Sequence, residues 1–172
     1  MRRIALALGR VSGLAMTLSQ VALVVMAVLI TVEVLGRNLL SVSTLVADEM
    51  AGYLLVAITF LGLGATLRTG GFIRIDTYRT RARGRTRGAL DLVVYGLGSA
   101  YTAVLAWYGW RLAWDSYGFG TTSISVTRTP LWIPQCLLAL GLSMLLFELV
   151  AGLGLTLSGA PVEREAGASI EL

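Results

Sequence analysis

The chain has 172 residues, of which 56% are hydrophobic and 14% charged, against roughly 25% charged in an ordinary globular domain. It contains no histidine and a single cysteine, Cys136, which excludes a histidine-ligated metal, a histidine general base, an internal disulfide and a thiolate cluster. Its net charge of +4 is carried by arginine without any lysine, so the placement of the arginines decides whether they read as a nucleic-acid surface or as something else.

Four long stretches carry no charged side chain. Between Arg10 and Glu33 lie 22 such residues; Met50 to Leu67 adds 18, Leu92 to Trp110 adds 19, and Thr129 to Phe147 another 19. A spanning helix needs about 20 mostly apolar residues. The expected fold is therefore an all-α integral membrane protein, one domain of four transmembrane helices at about 12–35, 49–67, 89–112 and 131–157, with a short polar tail at 159–172.

With the N-terminus in the cytoplasm, Arg2, Arg3, Arg10, Arg68, Arg74, Arg79, Arg81, Arg83, Arg85, Arg87 and Arg164 lie inside, and only Arg37, Arg111 and Arg128 outside. The positive-inside rule selects this orientation, with both termini cytoplasmic. The arginine-rich second connection thus reads as a topogenic signal. From Thr77 its arginines recur at every second position, which on a helix covers every face and forms no groove-reading stripe; no nucleic-acid partner is expected. The first apolar run exceeds the 7–15 residues of a signal-peptide core and no A-x-A site follows it, so the expectation is an anchor that stays.

Span one is expected to end near Glu33 and Arg37, four apart and able to pair on one helix face. A polar connection from Gly36 to Asp48 follows. Asp48 is a candidate N-cap for span two, and Glu49 places negative charge where the helix dipole is positive. Gly70 and Gly71 suit a helix C-cap. Phe72, Ile73 and Ile75 are apolar enough to lie against the membrane or a partner.

Span three carries Trp107, Trp110 and Trp114, and Trp132 opens span four; together they read as an aromatic belt at the outer interface. Arg111 and Asp115, four apart, can neutralise each other. Tyr117 to Ser125 reads as an outer loop. Pro130 and Pro134 fall where a helix begins and its first amides have no intrahelical acceptor. Glu148, ~26 Å along span four from Leu131 at 1.5 Å per residue, is expected near the inner boundary, facing headgroups or an arginine.

Polarity in the middle of the spans is limited to groups such as Thr59, Ser99, Thr102 and Ser143, whose hydroxyls can bond to their own helices. A transporter working alone needs a polar midplane site, and neither a dicarboxylate nor a sodium ion finds one here. A compact exchanger would need an acid in mid-span, whereas Glu33 stands at an end. A membrane enzyme lacks a paired acidic motif. No enzymatic activity, cofactor or metal is expected. Gly62 with Gly64 and Ala65, Gly96 with Ala100, and Ser99 with Ala103 permit close helix approach.

These signatures occur in a familiar order: Glu33-Val-Leu-Gly-Arg37-Asn38 after span one, Asp48-Glu49 opening span two, and Phe60-Leu-Gly62-Leu-Gly-Ala65 closing it. Leu67-Arg68-Thr-Gly70-Gly71-Phe-Ile73-Arg74-Ile75-Asp76 comes next, then Thr129-Pro130-Leu-Trp132-Ile133-Pro134-Gln135. Over roughly residues 10 to 157 the chain resembles the small, Q-type membrane subunit of tripartite ATP-independent periplasmic (TRAP) transporters. It departs from that pattern at Ser43-Thr44, where the family often has a tryptophan. The small subunit of the tripartite tricarboxylate transporters shares size, topology and role, and only the local motifs separate the two.

The resemblance implies a bacterial inner-membrane protein without catalytic activity, docked beside a large multi-span elevator subunit that binds sodium and substrate. It further implies carboxylate uptake from a periplasmic solute-binding protein, with lipids as the remaining contacts. On that view Arg37 and Glu49 stabilise the outer turn or its docking surface, and Arg68, Gly70, Gly71, Arg74 and Asp76 shape the inner connection. Gly62, Gly96 and Ser99 mark faces for close packing.

Overall fold

A computed structural model describes residues 2–40, 46–68 and 85–158. Four helices follow one another: α1 (Arg2–Leu40), α2 (Ala47–Arg68), α3 (Arg85–Gly118) and α4 (Trp132–Leu157). Each is long and apolar enough to cross a membrane, and no strand occurs among the described residues beyond one isolated bridge, Thr122 with Pro130. The expected all-helical architecture with four candidate spans is therefore present.

The helices outrun the charge-free stretches that announce them. At 1.5 Å per residue the 39 residues of α1 reach ~58 Å and the 34 residues of α3 ~51 Å, against a hydrocarbon core of ~30 Å. Charge marks where a helix leaves lipid, whereas intrahelical hydrogen bonding continues beyond. The expected connection from Gly36 is thus helical as far as Leu40, supported by Arg37 Nη2 donating to Glu33 Oε1 at 3.3 Å across one turn. Asp48 is likewise not the N-cap of α2. The helix starts at Ala47, the carbonyl of Val46 accepts from the Met50 amide at 3.0 Å, and Asp48 and Glu49 both lie in the first turn.

The packing is open: α1 lies on α2, α2 on α4, and α4 on α3. Opposing residues fix the directions. Tyr95 meets Gly152 and Gly109 meets Ala139, so α3 and α4 are antiparallel. Phe60 meets Gly141, Gly64 meets Met144, and Leu67 clusters with Leu149, so α2 and α4 run parallel. One end of the molecule, the loop end, therefore gathers the start of α2, the end of α3 and the start of α4.

Small residues make these contacts. Ala15, Ala57, Ala65, Ala106, Ala113 and Ala139 are buried, and Ala139 is fully inaccessible. A side chain is impossible at two crossings without displacement: a Cβ on Gly141 would stand 2.3 Å from the Phe60 carbonyl oxygen, and one on Gly152 would stand 2.4 Å from the Tyr95 ring. Spanning helices gain from such approaches because association in lipid depends on van der Waals contact between close backbones rather than on expulsion of water. Ser19 Oγ donates to the Ile58 carbonyl at 2.7 Å and joins α1 to α2. Only 17% of the apolar stretch of α1 and 28% of that of α2 are buried, so most of the large apolar side chains face outward.

Candidate functional site: a polar clasp at the loop end

Glu49 occupies the first turn of α2, where the unpaired amides and the helix dipole favour an anion. Tyr53, one turn on, donates its hydroxyl to Glu49 Oε1 at 2.5 Å. Thr127 donates its own to Glu49 Oε2 from the loop between α3 and α4. The side chains of Ser123 and Ser125 lie near the same carboxylate, and Thr129 Oγ1 donates to Thr127 Oγ1 at 3.1 Å. A carboxylate accepts with both oxygens and carries charge, so the bonds from Tyr53 and Thr127 are stronger than their neutral counterparts.

The loop is shaped to deliver them. The Ser123 amide donates to the Thr129 carbonyl at 2.9 Å and the Leu131 amide to that of Thr121 at 3.1 Å, closing a short hairpin. Arg128 turns at φ 46° and Gly120 at φ 61°. Both lie in the left-handed region, which glycine adopts without cost and arginine does not. The strained Arg128 directly follows Thr127, so the turn that aims the hydroxyl is paid for locally. At the base of the hairpin the Tyr117 and Trp132 rings meet edge to face at 5.8 Å between centroids. Beyond the clasp Phe119, Ile124 and Val126 point outward, Ile124 without any cover.

The residues singled out in the sequence divide between this clasp and other places. Glu49 is its centre. Arg37 pairs with Glu33 instead, whose side chain is 10% exposed against 53% for Arg37. Pro130 holds the hairpin bridge, and Pro134 is buried in the first turn of α4. Gly62 packs toward Ser19 Oγ; Ser99 is buried and donates to the Tyr95 carbonyl at 2.6 Å. Gly96 has open space where a Cβ would be, so that face makes no close helix approach within the chain. Arg68 ends α2. Gly70, Gly71, Arg74, Asp76 and the tail from 159 lie outside the described residues.

The tryptophans do not share one environment. All four are exposed, from 36% at Trp132 to 76% at Trp114, but Trp110 in addition donates Nε1 to Ser143 Oγ at 3.1 Å. That hydroxyl passes the bond on to the Ala139 carbonyl at 2.8 Å. Gly109 stands opposite Ala139, seven residues into α4, which puts Trp110 ~10 Å below the level of Trp132 along the helix axis. Trp110 thus serves the α3–α4 contact. Arg111 and Asp115 form no ion pair with each other among the described residues. Glu148 lines a cavity of about 50 Å³ with Val11, Ser12, Met144 and Phe147, between α1 and α4.

Sequence reasoning missed Tyr53, although Glu49 and Tyr53 have the spacing of helix neighbours. It also missed Thr127, for which no local signal exists. Gly109, Gly141 and Gly152 were equally legible as small residues and were passed over.

Four helices of spanning length, packed α1 on α2, α2 on α4 and α4 on α3, with their loop end laced by hydroxyls on one carboxylate, define a multi-pass membrane protein. The sequence model of the family described as tripartite ATP-independent periplasmic transporters, DctQ component, matches residues 26–157, three quarters of the chain, and the chain belongs to that family. It is accordingly a small TRAP transporter subunit of the inner membrane, from a family that works with a large membrane subunit and a periplasmic binding protein. A search of curated proteins returns no match.

Proposed function

We propose that this chain is a non-catalytic scaffold: it stays fixed in the inner membrane beside the large subunit, which binds sodium and a carboxylate solute and moves as an elevator. The periplasmic binding protein delivers the solute to the pair. The observation that carries this reading is the family match over residues 26–157, joined to a chain whose charged residues keep toward the ends of its spans. A substrate or ion pathway needs polar groups at mid-depth, and the hydroxyls of Ser99 and Ser143 there are engaged by their own helices. The open helix row supports the reading too, because it leaves wide apolar sides for a partner or for lipid.

In this arrangement both termini are cytoplasmic, the orientation that the arginine distribution favours, and the clasp faces the periplasm. The clasp keeps the loop end rigid, and Arg37 with Glu33 stiffens the last turns of α1. Gly70, Gly71, Arg74 and Asp76 shape the cytoplasmic connection after Arg68. Trp114 and Trp132 meet the outer lipid interface, with Trp110 and Trp107 one and two turns deeper along α3. The test is reconstitution: large subunit and this chain together import solute into vesicles on a sodium gradient when the binding protein is supplied, and this chain alone imports none. Uptake by this chain alone would refute the scaffold role.

A further inference from the structure

Two polar side chains near the middle of the helices, Gln20 on α1 and Thr59 on α2, are exposed and have no hydrogen-bond partner among the described residues. Other exposed hydroxyls in these spans behave differently: Thr17 and Thr31 donate to the carbonyls four residues back, at 3.1 and 2.7 Å. Gln20 brings two N–H donors and a carbonyl acceptor, Thr59 a hydroxyl.

Both stand deep in the span and at the same level. Ser19, the neighbour of Gln20, donates to the carbonyl of Ile58, the neighbour of Thr59. Thr59 is eight or more residues from either end of the charge-free run Met50 to Leu67, ~12 Å at 1.5 Å per residue. Neither short side chain reaches a headgroup from there.

They also share one side of the α1–α2 pair. Helix α4 covers the other side, where Leu137 and Met144 pack against Ala15, Ala57 and Leu61. Successive residues of a helix are turned by about 100°. Gln20 is one such step from Ser19, which meets α2, and Thr59 one step from Phe60, which meets α4. In two antiparallel right-handed helices both steps lead away from α4. On α1 and α2 respectively, Gly13 and Gly52 have nothing within 4 Å of where a Cβ would be, so another backbone can come close there.

Acyl chains offer neither donors nor acceptors, so an amide in the hydrocarbon keeps the cost of leaving water until protein supplies a partner. Polar side chains of neighbouring spanning helices do supply one. We propose that the α4-free side of the α1–α2 pair is where a spanning helix of the large transporter subunit packs, with Gln20 and Thr59 hydrogen bonding to it at mid-bilayer. The inference rests on the reading of this chain as the small subunit of that complex, and it names the contact face. The partner helix must present a polar side chain or an unwound carbonyl at that depth.

The test uses the co-expressed complex with a photo-cross-linking amino acid placed at position 20 or 59, and at the exposed α3 positions Leu97 and Val104 as controls. Positions 20 and 59 should yield a product with the large subunit several-fold above the controls. The double variant Gln20→Leu with Thr59→Val, which removes polarity and so still inserts, should lose most of the co-purified large subunit. If the complex purifies intact but cross-links arise from α3, or positions 20 and 59 capture only lipid or a second copy of this chain, the contact face is wrong and the subunit reading stands. If no large subunit co-purifies with the unsubstituted chain, the subunit reading itself falls.

Discussion

Thr127 donates its hydroxyl to the carboxylate of Glu49, 78 positions earlier in the chain. This bond ties the loop before α4 to the first turn of α2, two helices that run parallel and meet again at Phe60 and Gly141. Breaking it from either side should therefore have the same consequence. Glu49→Gln and Thr127→Val should each lower the thermal midpoint of the purified protein, and the double variant should lower it little further, because partners in one bond do not contribute additively. Additive losses would separate the two residues.

Gly141 and Gly96 make a controlled pair. A methyl at position 141 meets the Phe60 carbonyl at 2.3 Å, so backbone must move, whereas one at position 96 meets nothing within 4 Å. Gly141→Ala should destabilise by ~1–3 kcal/mol, the usual cost of overpacking. Gly96→Ala should leave the subunit unchanged or slightly more stable, since alanine is the better helix former. Thermal unfolding in the same detergent compares them.

Trp110 and Trp107 offer a second pair. Replacing Trp110 by phenylalanine removes the bond to Ser143 Oγ, a net loss of ~0.5–1.5 kcal/mol. The exposed Trp107 makes no such bond, and Trp107→Phe should cost less. A larger loss at Trp107 would show that its contact with lipid or a partner outweighs the α3–α4 bond.

The orientation can be read chemically. With Cys136 replaced by serine, a cysteine at the uncovered Ile124 should react with a membrane-impermeant maleimide in intact cells. A cysteine at the exposed Gly88, near the start of α3, should react only after permeabilisation. The reverse pattern would invert the topology.

Most of the fold was legible because lipid imposes a strong sequence rule: twenty or so residues without charge can do little else but cross it. Glu33 with Arg37 was legible for a local reason, the four-residue spacing. The clasp was only half legible. Its acid was visible as Asp48-Glu49, yet its main donor, Thr127, sits in a loop with no periodicity, and its approach depends on a left-handed turn at Arg128. The bond from Trp110 to Ser143 was hidden for a related reason: an aromatic residue near a span end satisfies the belt pattern whether or not its indole also bonds another helix. The sequence allows Thr59 to bond to its own helix, as Ser99 does, yet it makes no hydrogen bond among the described residues.

The account stands or falls on whether this chain is one part of a two-subunit membrane machine. The most direct measurement is to purify the tagged chain from its native membrane in mild detergent and determine the composition and mass ratio of what accompanies it. The account predicts a large multi-span protein in near-equal amount, retained through size-exclusion chromatography. A chain that elutes by itself, or as a stable homodimer, would contradict it.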